Sequence, residues 1–210
     1  MKALIIANGT IPGQAIVKKL IKDADVVVCA DGGADHARRL KIKPDVILGD
    51  LDSITSGTKK YFKGIPLMLI DDQESSDLEK AIEFCIQRKM TSVDVIGSFG
   101  SRIDHATGSL GCFKKFRNRV ELHLYDEEGW LSLVPGTISL RMKRGEKLSL
   151  IPLDRCEGVT TKNLKFPLKD DVLELGVHEG VSNEALSSGV EINVRRGTLL
   201  LYRFTVTRNK

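Results

Sequence analysis

Short runs of Val, Ile and Leu recur through the first part of the chain, and stretches with helical spacing separate them. That alternation constrains the fold more than any other feature. Apolar runs unbroken by polar residues fit strands buried on both faces, and helices between them fit parallel crossovers. The predicted strands are Ala3–Ala7, Asp25–Ala30, Asp45–Gly49, Pro66–Ile70, Ser92–Gly97 and Val120–Tyr125. Gly13–Lys22, Gly33–Leu40, Asp77–Lys89 and a segment from His105 to Lys115 read as helices. The third is the clearest. Leu78, Ala81, Ile82, Cys85 and Ile86 share one face, and Ser76 with Glu79 forms a capping box at its start.

The pattern changes after about residue 130. Ile138–Met142 and Val190–Val194 alternate apolar and polar side chains, and Tyr202, Phe204 and Val206 keep the same period of two. Turn signals recur at Pro135-Gly136, Arg144-Gly145, Glu157-Gly158, Glu179-Gly180 and Arg196-Gly197. Short strands at such spacing predict a small antiparallel sandwich or barrel. The expected fold is α/β: a mostly parallel sheet flanked by helices over residues 1–125, then a smaller antiparallel domain over 130–210, a β-sandwich by the family resemblance given below.

The acids divide along the same line. Of the 15 acidic residues in 1–117, 12 are Asp, whereas 9 of the 13 that follow are Glu. The aspartates collect where predicted strands end: Asp31, then Asp50 and Asp52, then Asp71 and Asp72 with Asp77 opening the next helix, then Asp104. Ligands of open parallel sheets bind beyond the carboxyl ends of the strands. An Asp there is usually a turn former or a cap when taken singly. Seven aspartates gathered at four strand ends on one rim are a functional group. Crowded carboxylates repel unless a cation joins them, and oxygen ligands without a His or Cys cluster favour Mg²⁺ or Mn²⁺. Asp50 and Asp52, two apart in extended chain, would point to one side and could reach one ion. Arg102 lies nearby, and the Gly32-Gly33 turn would let a phosphate approach the backbone.

Other chemistries are excluded. The formal charge is +4 with no concentrated Lys/Arg stripe, which argues against nucleic acid. Cys29, Cys85, Cys112 and Cys156 show no Cys-x-x-Cys spacing, and Cys29 and Cys85 read as buried hydrophobes of a reducing compartment. The longest apolar runs are far short of the roughly 20 residues of a membrane span, so a cytoplasmic protein is expected. Gly97-Ser-Phe-Gly-Ser-Arg102 lacks the lysine of a P-loop, and Ala7-Asn-Gly-Thr10 follows the first strand in place of a dinucleotide fingerprint.

Ala30-Asp-Gly-Gly-Ala34, Gly49-Asp-Leu-Asp-Ser53, Asp72-Gln-Glu-Ser-Ser-Asp-Leu-Glu-Lys-Ala81 and Arg102-Ile-Asp-His105 stand in a distinctive order. They are followed by Ser149–Leu153, Gly158–Thr161, Leu164–Leu168 and Val181-Ser-Asn-Glu184. The ordered set resembles the thiamine pyrophosphokinase family, whose members move a diphosphate from ATP to thiamine. The resemblance implies Mg²⁺ on Asp50, Asp52 and Asp77, which are then the catalytic carboxylates. It implies ATP along the rim by Asp31, Gly32, Gly33, Arg102, Asp104 and His105, the last of these a first-turn helix residue and not a base. It implies thiamine against Gln73, Ser182 and Asn183, and a homodimer with sites between subunits. Leu51, Ser76, Ser101 and Thr107-Gly108-Ser109 depart from the family's usual residues. Two other readings compete: a metal-dependent nucleotide-sugar glycosyltransferase using Asp50-Leu51-Asp52, and a non-catalytic thiamine or nucleotide sensor.

Overall fold

The computed structural model describes residues 1–100 and 102–205; Ser101 and Val206, which enter the sequence argument, lie outside them. The chain divides into two compact units, Met1–Glu127 and Glu128–Lys210.

The first unit holds β1 (Lys2–Ile6), α1 (Gln14–Asp23), β2 (Val26–Ala30), α2 (Gly33–Leu40), β3 (Val46–Gly49), α3 (Ser56–Tyr61), β4 (Leu67–Leu69), α4 (Asp77–Gln87), β5 (Ser92–Ile96), α5 (Ile103–Lys115) and β6 (Glu121–Tyr125). Its strands run parallel in the order β6-β5-β1-β2-β3-β4. Leu4, Ile6, Val27, Cys29 and Ile47 turn to one face and pack with Val17 and Leu20 of α1 and Ala34 and Ala37 of α2. Ala3, Ile5, Val28 and Leu48 alternate to the other face and are also buried; α4 packs on β1, β2 and β3 there. The capping box of α4 is complete: the Ser76 hydroxyl accepts from the Glu79 amide, and the Glu79 carboxylate accepts from the Ser76 amide.

Two sequence expectations change in this unit. β4 is not buried: it pairs with β3 at the edge of the order, and Leu67, Met68 and Leu69 are exposed. Helix α3 was not expected. At six residues it is too short for periodicity to reveal, and it begins where the Thr55 side chain accepts from the Thr58 amide.

The second unit holds β7 (Gly129–Leu133), β8 (Thr137–Leu140), β9 (Lys147–Pro152), β10 (Cys156–Lys162), β11 (Asp171–Leu173), β12 (Gly180–Glu184), β13 (Val190–Asn193) and β14 (Leu199–Phe204). They form two antiparallel layers, β12-β9-β14-β7 and β11-β10-β13-β8. Leu148, Leu150, Leu199 and Leu201 of the first layer meet Val159, Leu173, Val190 and Ile192 of the second in one core, as a sandwich requires. Gly136, Gly145 and Gly197 sit at positive φ in the turns β7–β8, β8–β9 and β13–β14. Glu157-Gly158 is not a turn between strands. Gly158, at φ +67°, lies inside β10 where the register with β11 shifts, so it marks a bulge. Likewise Glu179-Gly180 leads directly into β12.

Candidate active site

Strand β1 has β2 on one side and β5 on the other, so the chain reverses its direction of travel across the sheet at β1. The loops beyond the carboxyl ends of β1, β2, β3 and β5 therefore share one rim. Asp31 immediately follows β2, Asp50 immediately follows β3, and Asp77 is the first residue of α4. One carboxylate oxygen from each of these three lies within 4.8 Å of the other two. Gly49 makes the approach possible. Its φ is +137°, and a Cβ there would stand 2.9 Å from Asp77 Oδ1 and 3.1 Å from Asp31 Cβ.

Asp31 is the most constrained of the three. It is 5% exposed and its Oδ1 has no hydrogen-bond partner among the described residues. Burial raises its pKa, and the Asp77 and Asp50 carboxylates add to the rise against hydrogen bonds from Ser53 and the Gly32 amide. A buried Asp31 with an unpartnered oxygen, grouped with two more carboxylates, offers the all-oxygen donors that a hard divalent cation takes, and Mg²⁺ fits them. Lys80, whose side chain is 5% exposed, lies with Nζ 3.2 Å from Asp77 Oδ1 and fixes that carboxylate against α4.

Asp52 stands differently from expectation. Leu51 has φ +62°, so the chain is not extended there and Asp50 and Asp52 do not follow strand alternation. The Asp52 amide instead donates to Asp50 Oδ1 at 3.3 Å, and the exposed Asp52 carboxylate accepts from Ser53 Oγ at 2.9 Å. Asp31, assigned from sequence to ATP, joins Asp50 and Asp77 in the three-carboxylate group, and Asp52 does not.

The other residues expected at the site make contacts of their own. Arg102 and Asp104 are exposed at the start of α5 and pair with each other, Nε to Oδ1 at 3.2 Å. The hydrogen bond from Arg102 pulls the Asp104 pKa down to about 2. His105 is exposed in the first turn of α5. Gln73 is exposed and donates to Asp71 Oδ1 at 3.2 Å. The Gly32-Gly33 turn is already filled from within the protein. A Cβ at Gly32 would meet the Asn8 amide, and one at Gly33 would meet the Ile6 carbonyl, so packing alone demands glycine. Ser109, one of the departures from the family pattern, is buried and donates to the Ser98 carbonyl at 2.8 Å, which anchors the loop after β5. The thiols of Cys29, Cys85 and Cys112 are pushed up to about 12 by burial, as buried hydrophobes are.

In the second unit Ser182 is exposed on β12 at φ +58°, and its amide donates to Ser149 Oγ. Asn183 is buried. Its Oδ1 accepts from the Phe166 and Glu184 amides and its Nδ2 donates to the Phe166 carbonyl at 2.7 Å. The carboxamide is thus committed to holding the Leu164–Leu168 loop, whereas the Ser182 side chain is exposed. Lys80, Asn8, His36 and Arg39 line the rim and were missed in the sequence. The i,i+3 spacing of Asp77 and Lys80 was a usable signal for the first; the others carry none.

Residues 17–124 match the family described as thiamin pyrophosphokinase, catalytic domain, and residues 136–199 match its vitamin B1 binding domain. The chain belongs to the thiamine pyrophosphokinase family. A thiamine pyrophosphokinase of rice is 28% identical over 211 residues, covering 86% of this chain and 79% of its own. That of Bacillus subtilis is 24% identical, covering 78% and 80%. Solved thiamine pyrophosphokinases from Bacillus subtilis and Candida albicans share the fold, each with a TM-score of 0.85, at 20% and 18% identity. They cover 99% and 97% of this chain, and 100% and 88% of their own. Neither the glycosyltransferase nor the sensor reading finds support among these relatives. No helix among the described residues is long and apolar enough to cross a membrane.

Proposed function

We propose that this chain transfers a diphosphate from ATP to the hydroxyl of thiamine, giving thiamine diphosphate and AMP. The observation that carries the reading is the convergence of Asp31, Asp50 and Asp77 on the ligand-binding rim of a domain that matches the family's catalytic domain. Asp50 and Asp77 would hold Mg²⁺ together with Asp31, and Asp52 is close enough in sequence to reach the same phosphates. Held there, the ion would neutralise charge on the phosphate oxygens. The thiamine hydroxyl oxygen forms a bond to the β-phosphorus and releases its proton to water, the bond from that phosphorus to the α,β-bridging oxygen breaks, and AMP leaves. We assign Asp77 to the side of the attacking hydroxyl, because Lys80 holds its carboxylate in place. Positioning supplies the rest of the rate.

Arg102, Asp104 and His105 at the α5 start would face ATP. Gln73 beyond β4 and Ser182 of the binding domain would face thiamine, with Asn183 shaping the loop behind Ser182. We read residues 1–125 as catalytic and 130–210 as thiamine-binding, in a homodimer whose sites lie between subunits.

The test is incubation with ATP, Mg²⁺ and thiamine, with AMP and thiamine diphosphate as readouts. Stoichiometric AMP and thiamine diphosphate are expected, and chelation should abolish both. No AMP at saturating substrates would overturn the activity, and chelator-resistant turnover would overturn the metal. Sedimentation equilibrium at the mass of one chain would overturn the dimer.

A further inference from the structure

Two of the three converging carboxylates stand at the start of neighbouring segments. Asp31 leads into α2, and Asp50 opens the loop that leads to α3. The parallel pairing of β2 with β3 fixes where the strands end, but not how the chain leaves them. The spacing of Asp31 from Asp50 therefore also depends on what holds the Asp50–Thr55 segment against α2.

That contact is made by side chains outside the motifs described above. Asp35 of α2 accepts from the Thr55 hydroxyl at 2.7 Å through Oδ1 and from the Thr55 amide at 3.2 Å through Oδ2. A hydroxyl has one proton and a carboxylate only accepts, so the Thr55 proton is spent on Asp35 and Thr55 Oγ1 is left to accept. It takes the Thr58 amide at 3.3 Å, which starts α3. Thr58 Oγ1 receives Arg38 Nη1 at 3.3 Å, so its own proton is left for Thr55 Oγ1 at 3.1 Å or for the Asp35 carboxylate. The donors run one way, from Arg38 through Thr58 and Thr55 to Asp35. This chain begins and ends on α2, where Asp35 and Arg38 are one turn apart.

The clamp is packed as well as hydrogen-bonded. Thr58 is fully buried, and Ile54 shares one apolar cluster with Ala34 and Ala37 of α2. A Cβ at Gly57 would stand 2.8 Å from Arg38 Nη1, and the Arg38 guanidinium lies 5.4 Å from the Tyr61 ring centre. Burial alone would raise the Asp35 pKa. Hydrogen bonds from Thr58 and Thr55 and the Arg38 charge outweigh it and bring the pKa below the ordinary carboxylate value. The start of the loop is tied down from α3. Lys59 Nζ donates at 2.8 Å to the carbonyl of Leu51, the residue whose φ of +62° turns the chain between Asp50 and Asp52.

We infer that Asp35 is a positioning residue for the metal group: by binding Thr55 it holds the segment that begins with Asp50 against the helix that follows Asp31, and keeps those two carboxylates at the spacing one cation needs. Asp35 itself is outside the three-carboxylate group. The inference rests on the reading that Asp31, Asp50 and Asp77 hold Mg²⁺.

Variants of the whole protein test it. Asp35→Asn and Thr55→Val keep the shape of the residue they replace and remove an acceptor or the hydroxyl, whereas Thr55→Ser keeps the hydroxyl. In titration with Mn²⁺ alone, with the free ion followed by electron paramagnetic resonance, the first two should bind about tenfold more weakly or worse. Thr55→Ser should bind as the unaltered protein does. In turnover, Asp35→Asn and Thr55→Val should raise the Mg²⁺ concentration for half-maximal rate by a similar factor. They should leave KM for thiamine unchanged and recover most of kcat at saturating Mg²⁺. A clamp that served stability alone would lower the urea midpoint and leave the metal dependence where it was, and that result overturns the inference. Thr55→Ser as weak as Thr55→Val overturns it too. Should either of the first two fail to fold, Arg38→Met decides, since it removes only the outer donor: binding about threefold weaker supports the clamp, and unchanged binding overturns it. No Mn²⁺ bound by the unaltered protein would overturn the carboxylate reading and this inference with it. Equal binding by the unaltered protein and Asp35→Asn would overturn the inference alone.

Discussion

Buried polar side chains behave oppositely in the two units. In the sandwich they are consumed by the chain itself. Asn183 spends its carboxamide on Phe166 and Glu184, Thr161 Oγ1 accepts from the Leu168 amide, and the Asp154 carboxylate accepts from both the amide and the hydroxyl of Thr198. On the rim of the α/β unit, Asp31 is equally buried, yet its Oδ1 has no partner among the described residues and its neighbours are two further carboxylates. An unmade hydrogen bond costs folding energy, and a repelled charge costs more. The sandwich avoids both costs, whereas the rim bears them.

The largest effect should come from the open side of that contrast. Asp50→Asn keeps the shape of the rim but removes a ligand charge. Turnover should fall by about a hundredfold or more at saturating Mg²⁺ while the unfolding midpoint barely moves. Steady-state kinetics beside urea unfolding reads both numbers. An inactive variant that is also unfolded would place Asp50 with the scaffold and break the comparison.

Asn183→Ala tests the satisfied side. It leaves the amides of Phe166 and Glu184 and the Phe166 carbonyl without partners, so stability should drop by about 1–3 kcal/mol in urea unfolding. Ser182→Ala, one residue away with its side chain exposed, should leave stability almost untouched and raise KM for thiamine. Equal stabilities for the two variants would show that the Asn183 carboxamide is not structural.

Much of this could be read from the sequence, and the failures have physical causes. The parallel strands and the helices α1, α2, α4 and α5 announce themselves, because burial imposes apolar runs on β1, β2, β3 and β5 and crossovers impose helical spacing, while β4 shows the same apolar run although it is exposed at the edge. The Ser76–Glu79 box is local chemistry and was equally plain. Helix α3 was hidden by its length, and strands β7 and β9–β12 by weak alternation. The burial of Asn183 was invisible because its partner, Phe166, is 17 residues away. Within the site, the error about Asp50 and Asp52 came from assuming extended chain where Leu51 takes a left-handed conformation. Asp31 could be placed on the rim, but its nearness to Asp50 and Asp77 depends on Gly49, whose lack of a side chain matters only in three dimensions. Arg39 and His36 sit on what reads as the polar face of an ordinary helix.

A smaller effect of opposite sign sharpens the contrast. Asp31→Asn removes the most crowded charge, so in the metal-free protein it should leave stability unchanged or raise it by up to about 1 kcal/mol, while turnover is lost. Asn183→Ala and Asp31→Asn would then move stability in opposite directions although both residues are buried. Chemical unfolding in the presence of a chelator measures this. A clear loss of stability for Asp31→Asn would mean that its carboxylate is satisfied after all.

The smallest expected effect is in pH dependence, where two carboxylates of the rim should differ in sign. The folded-state pKa of Asp31 is raised, chiefly by burial, so the metal-free folded protein holds a proton there that the unfolded chain releases first. Its contribution is complete below the unfolded value of about 3.9 and is lost as pH rises through the folded value. Asp104 is lowered to about 2 by the hydrogen bond from Arg102, so its contribution is present above about 3.9 and disappears as pH falls toward its folded value. Exposure of the Arg102–Asp104 pair keeps that second contribution small. Carbon-detected NMR titration of the two side-chain carboxyls should find Asp31 above the ordinary carboxylate range and Asp104 near 2. Added Mg²⁺ should move the Asp31 midpoint downward and leave that of Asp104 in place, because a cation favours the ionised form only of the groups it touches. An Asp31 carboxyl that titrates normally without the cation, or that ignores it when added, would mean that the crowding on the rim is already relieved within the chain.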